Sequence, residues 1–461
     1  MADALKRSLG IPMGDLSQFK KRPVATLAII VINIAVYAIT SHEKIFLEVS
    51  DYWVSAGGFV PALTPMPTQW YRIFSSMFLH ADFFHILFNM YFLYIFGRAV
   101  EEALGRWRFL ALYMVSGIVA SIFHTAFSFL GGATAYVIPA IGASGAISGV
   151  LGAYLILFPG KSLVMGWFFL YFPMFFRLKA AYYLLFWFAT QVIYGYFRLS
   201  GSTAVFAHAG GFIAGIALLP LVASKEKLTQ FKLARQTAFP TYIVFTPTPV
   251  KPAGLGQTTK IIIAVLLASL LFGAAYASSG LSIRGDVKAA TVQYNYEGTP
   301  YIDYVGFQLP NIGNQFASIS LDATRIMLYR LYAAGLLYDV SKAGSEGSFS
   351  FYGEVRIGNV RVPTTVTLNG KYDDDGFLEY GKGNLTTFIV YDGKYLGRFP
   401  VSYSFEISSR TVNLAYITQY TGIMSFVATA AALGVAVMKD RDLALIGEEP
   451  RRVWHPYTPV V

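Results

Sequence analysis

Eight apolar stretches, each near the length needed to cross a bilayer, constrain this chain more than any other feature of its sequence. A hydrocarbon core about 30 Å thick takes roughly 17–25 apolar residues per helical span. The stretches run Ala25–Thr40, Phe83–Ala99, Phe109–Leu130, Gly142–Phe158, Ala180–Phe197, Thr203–Ala223, Ile261–Ser278 and Thr421–Met438. With 55% hydrophobic and only 13% charged residues, the 461-residue chain is far more apolar than a soluble globular protein of its size. An aromatic stretch at Leu163–Phe176 is broken by Pro173 and closed by Arg177 and Lys179, and it reads as an interfacial loop.

The formal charge of +10 sets the orientation. Between Leu281 and Tyr420 there are 12 Lys and Arg against 13 Asp and Glu, so the excess lies elsewhere. It falls on the N-terminal tail (Lys6, Arg7, Lys20, Lys21, Arg22), on the turn with Arg98, Arg106 and Arg108, on the loop with Lys161, Arg177 and Lys179, and after the sixth span. The alternate loop 131–141 has no Lys or Arg. A basic surplus beside membrane spans is the positive-inside signature, and it displaces nucleic-acid binding as the reading of the charge. The expectation is a multi-pass protein of the cell membrane with both termini cytoplasmic and 281–420 extracytoplasmic. Its domains are a tail at 1–23, a six-helix core at 24–224, a Pro-rich basic linker at 225–260, a seventh helix at 261–280, the external domain, an eighth helix at 421–438 and a tail at 439–461. With no Cys, disulfides, thiolate nucleophiles and Cys-ligated metals are excluded.

The external insert is predicted to be mainly β. TVQYNYEG, YIDYVGF, FSFYGEVRI, TTVTLNG and LTTFIVYDGKYLGRFPVSYSFEI alternate, are rich in β-branched and aromatic residues, and are punctuated by Gly, Asn and Asp. One helix is expected from Leu321 to about Tyr338, capped by Ser320. Asp373-Asp374-Asp375-Gly376 lies between two strands and reads as a hairpin turn rather than a calcium loop.

Polar side chains inside spans are costly, so those present are informative. His85 and Asn89 share a helix face in span two. Ser144 opens span four in GASGAISG, where free N–H groups stabilise an oxyanion. His208 lies about five residues into span six in FAHAGGFIAG. At 1.5 Å per residue, His208 sits roughly 7 Å from the outer end of its span, and Ser144 and His85 lie at similar depth. Gly145 and Gly149 on span four, with Gly211 and Gly215 on span six, are small-xxx-small pairs that let two helices approach closely. A serine hydroxyl needs an adjacent base, and no carboxylate in a core span orients one, so the expectation is a Ser–His dyad. An isolated Ser or His in such a span is more often structural; the joint occurrence in three spans at one depth favours catalysis. His80 is balanced between a role at the oxyanion site and a structural one, His42 and His124 have no evident partner, and His455 lies in the tail. The only His-Glu pair, His42-Glu43, does not extend to HExxH, and no paired intramembrane aspartates exist, so zinc and aspartyl intramembrane proteases are excluded; no metal or other cofactor is expected.

GASGAISG, the downstream AHAGGFIAG and the upstream LHADFFHILFNMYFLYIFGRAVEEALG resemble the rhomboid proteases in order, spacing and topology over about Ala25–Ala223. The resemblance implies an α-helical polytopic fold with a rhomboid-like six-helix core, to which this chain adds two helices and a β-rich domain. It implies an intramembrane serine endopeptidase in which Ser144 attacks, His208 is the base, and His85, Asn89 and the Ser144 N–H form the oxyanion hole; Gly142 is expected with Gly145, Gly149, Gly211 and Gly215 among the helix-contact glycines. Substrates would be single-span membrane proteins within the lipid bilayer, often cut after a small residue. Many rhomboids carry an aromatic residue four positions after the nucleophile, against the catalytic His; here that position is Ser148. The alternative is an inactive relative that binds transmembrane segments as a chaperone or trafficking factor, and the insert is either a substrate recruiter or an envelope anchor. Oligomeric state is not legible in the sequence.

Overall fold

The computed structural model describes residues 11–15, 22–169, 172–199, 204–226, 228–229, 254–319, 321–391, 394–395 and 399–448. Most of the basic linker, the C-terminal tail from 449 with His455, the N-terminal residues Lys6, Arg7, Lys20 and Lys21, the expected start of span six at Thr203 and the cap Ser320 lie outside them.

All eight apolar stretches are helical: α1 (Val24–Ser41), α2 (Phe83–Leu104), α3 (Arg106–Phe127), α4 (Ser144–Leu157), α5 (Ala180–Tyr196), α6 (Val205–Val222), α7 (Gln257–Ser278) and, after the β domain, the helix starting at Leu414. Six are long and apolar enough to cross a membrane, whereas α4 has 14 residues and α5 has 17. Several ends differ from the sequence reading. α2 runs on to Leu104 through a π-turn at Leu93–Gly97 and stops at Gly105, whose φ of +84° only glycine takes without strain. Glu101, near that end, is buried and caps α1 from another helix: its carboxylate accepts from Ala25 N (2.9 Å), Thr26 N (2.8 Å) and Thr26 Oγ1 (2.7 Å). These are N–H groups that a helix start leaves without internal partners.

The stretch at 163–176 is not a loop. It forms an antiparallel hairpin, β2 (Ser162–Phe169) with β3 (Phe172–Lys179), joined by β1 (Ile11–Asp15) on the free side of β2. Pro173 is tolerated because β3 is an edge strand with no further ladder to donate to. The part of the expected N-terminal tail at 11–15 is therefore a strand.

The insert is a six-stranded antiparallel sheet of β4 (Asp286–Tyr296), β5 (Thr299–Phe307), β6 (Glu346–Ile357), β7 (Val360–Tyr372), β8 (Leu378–Thr387) and β9 (Val401–Asn413), in the order β5-β4-β9-β8-β7-β6. One face packs on α8 (Asp322–Ala333), with Met327, Leu328 and Leu331 fully buried. α8 is shorter than expected because the chain reverses at Gly335, φ +67°. The Asp373–Gly376 turn joins β7 and β8, and Lys288 Nζ bonds to Asp373 (2.6 Å), Asp375 (2.6 Å) and Thr411 Oγ1 (2.8 Å). The last helix, α9 (Leu414–Gly434), continues without a break to Leu443 and begins seven residues before the expected span, directly off β9.

α7 and α9 pack on each other and on the six-helix core. Gly422 faces the backbone of Ala277, Tyr196 Oη on α5 donates to Ser269 O on α7 (2.7 Å), and Gly273 lies against Tyr196 and Phe127. The β domain docks on the same end of the bundle. Val287, Ala289, Val412 and Leu414 join Val60, Leu63 and Tyr136 in one buried cluster. Arg72 stacks 3.9 Å over the Tyr304 ring while its Nη1 donates to Gly58 O (2.7 Å). At the opposite end, Leu157 O at the close of α4 accepts from Leu445 N (2.7 Å) and Ile446 N (3.1 Å), and Gly160 N donates to Ile446 O (3.1 Å).

Candidate active site

Close helix contact builds the site. The four interface glycines meet as the small-xxx-small pattern predicts: a Cβ on Gly211 would overlap the carbonyl of Gly145, and one on Gly215 that of Gly149. Gly152 extends the seam against the backbone of Phe212. With no side chains between them, α4 and α6 touch backbone to backbone, which brings residues at their tops into bonding range. His208 Nε2 lies 2.8 Å from Ser144 Oγ. Both side chains are half-buried.

Gly142, expected among the helix-contact glycines, does not meet α6; it lies two residues before Ser144, ahead of the helix and against His85, with φ +130°, a backbone that side-chain-bearing residues rarely adopt. Its N–H is anchored to Ser76 O (2.8 Å), and the adjacent Ala140 pairs with Phe59 (2.9 and 2.8 Å). A Cβ at Gly142 would lie 2.8 Å from His85 Nε2 and 3.4 Å from Ser144 Oγ, so the space between those two atoms is about one atom wide. His85 presents a donor to it. Its Nδ1 accepts from Ala81 N (3.3 Å), which leaves the ring proton on Nε2. Asp82 sets the start of α2 by accepting from His85 N (2.8 Å). Asn89 is buried on the same face, and its Nδ2 has no hydrogen-bond partner among the described residues. The first intrahelical bond of α4 is Ile147 N to Ala143 O (3.0 Å), so the amides of its first turn, Ser144 N included, precede it. His85 Nε2–H is thus the donor set beside Ser144 Oγ across this narrow space.

Ser148 fills the position where an aromatic residue was expected. Its hydroxyl donates back to Ser144 O (2.6 Å), a local bond within α4. The aromatic neighbour of His208 comes instead from α5: the Trp187 ring centroid lies 6.1 Å away at 32°. One turn further along α5, Gln191 Oε1 sits 2.9 Å from His208 Nδ1. The sequence reading looked for a carboxylate behind His208 and so passed over this amide. The legible signal was its placement: WFATQ sets Trp187 and Gln191 four residues apart on one face of an apolar helix.

His80 packs edge-on against His85, 5.1 Å between centroids, with Nδ1 3.3 Å from Phe78 O. His42 is exposed and bonds Ile39 O (2.7 Å). His124 lines a cavity of about 40 Å³ beside Ser144, together with Met77, Gly117, Ala120, Ser121 and Gly145. Among the described residues no group of three or more His, Cys, Asp or Glu is placed to hold a metal ion.

The fold and the site define a multi-pass helical membrane protein with a serine and a histidine joined across two helices. Residues 67–225 match the family described as Rhomboid domain, and two further helices and a β domain follow the matched segment. Over 148 residues it is 33% identical to Rhomboid protein 1, mitochondrial, of Saccharomyces cerevisiae, a stretch covering 32% of this chain and 40% of that protein. It is 31% identical over 149 residues to Rhomboid protease AarA of Providencia stuartii, covering 28% and 50%. It is 40% identical over 87 residues to Rhomboid protease GluP of Bacillus subtilis, covering 19% and 16%. The chain thus spans half or less of the length of these relatives.

Proposed function

We propose that the protein is an intramembrane serine endopeptidase that cleaves transmembrane segments of other membrane proteins. The observation that carries this reading is the 2.8 Å contact between Ser144 Oγ and His208 Nε2. As Ser144 Oγ attacks the scissile carbonyl carbon, its proton passes to His208 Nε2. The carbonyl oxygen takes the negative charge and lies among His85 Nε2–H, Asn89 Nδ2–H and Ser144 N–H. Collapse of that intermediate breaks the C–N bond, and His208 returns the proton to the leaving amine. A water then repeats the sequence on the acyl-enzyme, with His208 again accepting the proton, and frees the carboxylate product and Ser144. The cavity beside Ser144, about 40 Å³, is small, which suits a small side chain before the scissile bond.

On this reading the basic loops face the cytoplasm, both termini lie there, and the β domain and the site share the opposite side. The test is cleavage of a reporter with one transmembrane segment in proteoliposomes. Ser144→Ala is expected to abolish it while the protein remains folded. Unchanged cleavage refutes the assignment and leaves binding of transmembrane segments as the function.

A further inference from the structure

We propose that Gln191 is a positioning residue that fixes the tautomer and tilt of His208; the inference rests on the protease reading and deepens it. His208 Nδ1 and Gln191 Oε1 are 2.9 Å apart, and the opposite ring nitrogen is the one that meets Ser144. An imidazole base must carry its proton on Nδ1 for Nε2 to offer a lone pair to the serine. An acceptor behind Nδ1 secures this.

The amide orientation is set by its own surroundings. Gln191 Nε2 lies 3.2 Å from Trp187 O and 3.1 Å from Thr190 Oγ1. Thr190 Oγ1 spends its proton on Trp187 O (2.6 Å), so it is left as an acceptor for the amide. Turning the amide over would set Oε1 against the Trp187 carbonyl oxygen, acceptor to acceptor, and Nε2 against the His208 N–H, donor to donor. Both bonds would be lost at a buried site, where unmade bonds are most costly. Oε1 therefore faces the histidine. Gln191 is itself buried, and Trp187, one turn away, leans on the same ring. Two groups on one helix thus supply the hydrogen bond and the aromatic wall that α4, with Ser148 in place of an aromatic residue, does not.

A neutral amide also differs from a carboxylate in what it leaves undone. It orients the ring without a full charge facing the imidazolium that forms as Ser144 attacks. A second ionised group is not buried in the bundle, where its desolvation is expensive.

The experiment uses the full chain in proteoliposomes with a transmembrane reporter, measuring kcat, KM and the rate at which a fluorophosphonate labels Ser144. Gln191→Met keeps length and volume but removes the acceptor. It is expected to lower kcat and the labelling rate about tenfold with KM unchanged, the size of one lost hydrogen bond. Gln191→Glu, which can accept the same bond, is expected to recover to within about threefold of the native rate. Should the Met variant fail to accumulate, Thr190→Val, which removes only the hydroxyl that holds Nε2, is expected to cost about threefold in kcat. Native kcat in Gln191→Met, or in Thr190→Val where it stands in, overturns the proposal, and so does equal loss in the Met and Glu variants, since packing alone would then account for it. Ser144→Ala run in parallel separates the two levels. If it is inactive while Gln191→Met is native, only the role of Gln191 fails; if it is active, the protease reading fails.

Discussion

Gly142→Ala tests the oxyanion geometry with a single methyl group. The added Cβ would stand 2.8 Å from His85 Nε2, 2.9 Å from His85 Cε1 and 3.4 Å from Ser144 Oγ. The first value is an N–H···O hydrogen-bond length, so the methyl would take the place that a substrate oxyanion needs in order to reach His85. Losing one such donor costs about 10²–10³ in kcat, or about 2.7–4 kcal/mol of transition-state stabilisation. A separate penalty falls on the fold. At φ +130° an alanine is strained by about 1–3 kcal/mol, which lowers the unfolding temperature without touching the contact between α4 and α6. The two effects are separable by measuring reporter cleavage and thermal unfolding on the same preparation. A double variant sharpens the test: with His85→Ala the methyl gains room and has no donor left to block. The pair should then be no slower than His85→Ala alone. Cleavage by Gly142→Ala within about threefold of native, or losses that multiply in the pair, would refute the reasoning.

Met77 walls the cavity beside Ser144 against Gly117. Met77→Ala should enlarge it and shift cleavage toward larger residues before the scissile bond, read by mass spectrometry of products from a reporter series; an unchanged preference would mean the cavity is not the specificity pocket. Asp303, at the docked edge of the β domain, is buried, and burial raises its carboxyl above the ordinary range. Stability from a raised carboxyl is fully present below its unfolded value and is lost as pH rises through the folded one. The β domain should therefore lose unfolding temperature as pH climbs above the ordinary carboxylate range, about 4, and Asp303→Asn should flatten that slope. Identical slopes in the two proteins would show that Asp303 does not set it.

What could be read from sequence divides along a physical line. The spans, the glycine seam and the Ser144–His208 pair were legible because membrane burial makes polar residues rare and small residues meaningful. The strands of the insert were legible from alternation. The hairpin at 162–179 was not: aromatic residues at a membrane boundary suit a loop and an edge strand equally, and its third strand comes from residues 11–15, about 150 positions away. Gln191 escaped for a different reason. An amide carries no charge to announce a role, and its contact with His208 exists only once α5 and α6 are packed. The start of α9 at Leu414 was likewise hidden: the helix leaves β9 directly, and Thr418 in its second turn is buried with its hydroxyl bonded to Tyr136 Oη, a contact that exists only in the folded chain.

The closure of α4 by Leu445 and Ile446 has a consequence in time. Leu157 is fully buried, so the carbonyl that closes α4 is out of water's reach and the protein must serve it. The segment that does so leaves the ribosome about 290 residues after Leu157, a delay on the order of 15–60 s at common synthesis rates. Until then the helix bearing Ser144 is incomplete at its base. Its other end, where Gly142 is held by Ser76 and the seam with α6 sets Ser144 beside His208, is complete once α6 is made, so the two ends of α4 are finished at different times.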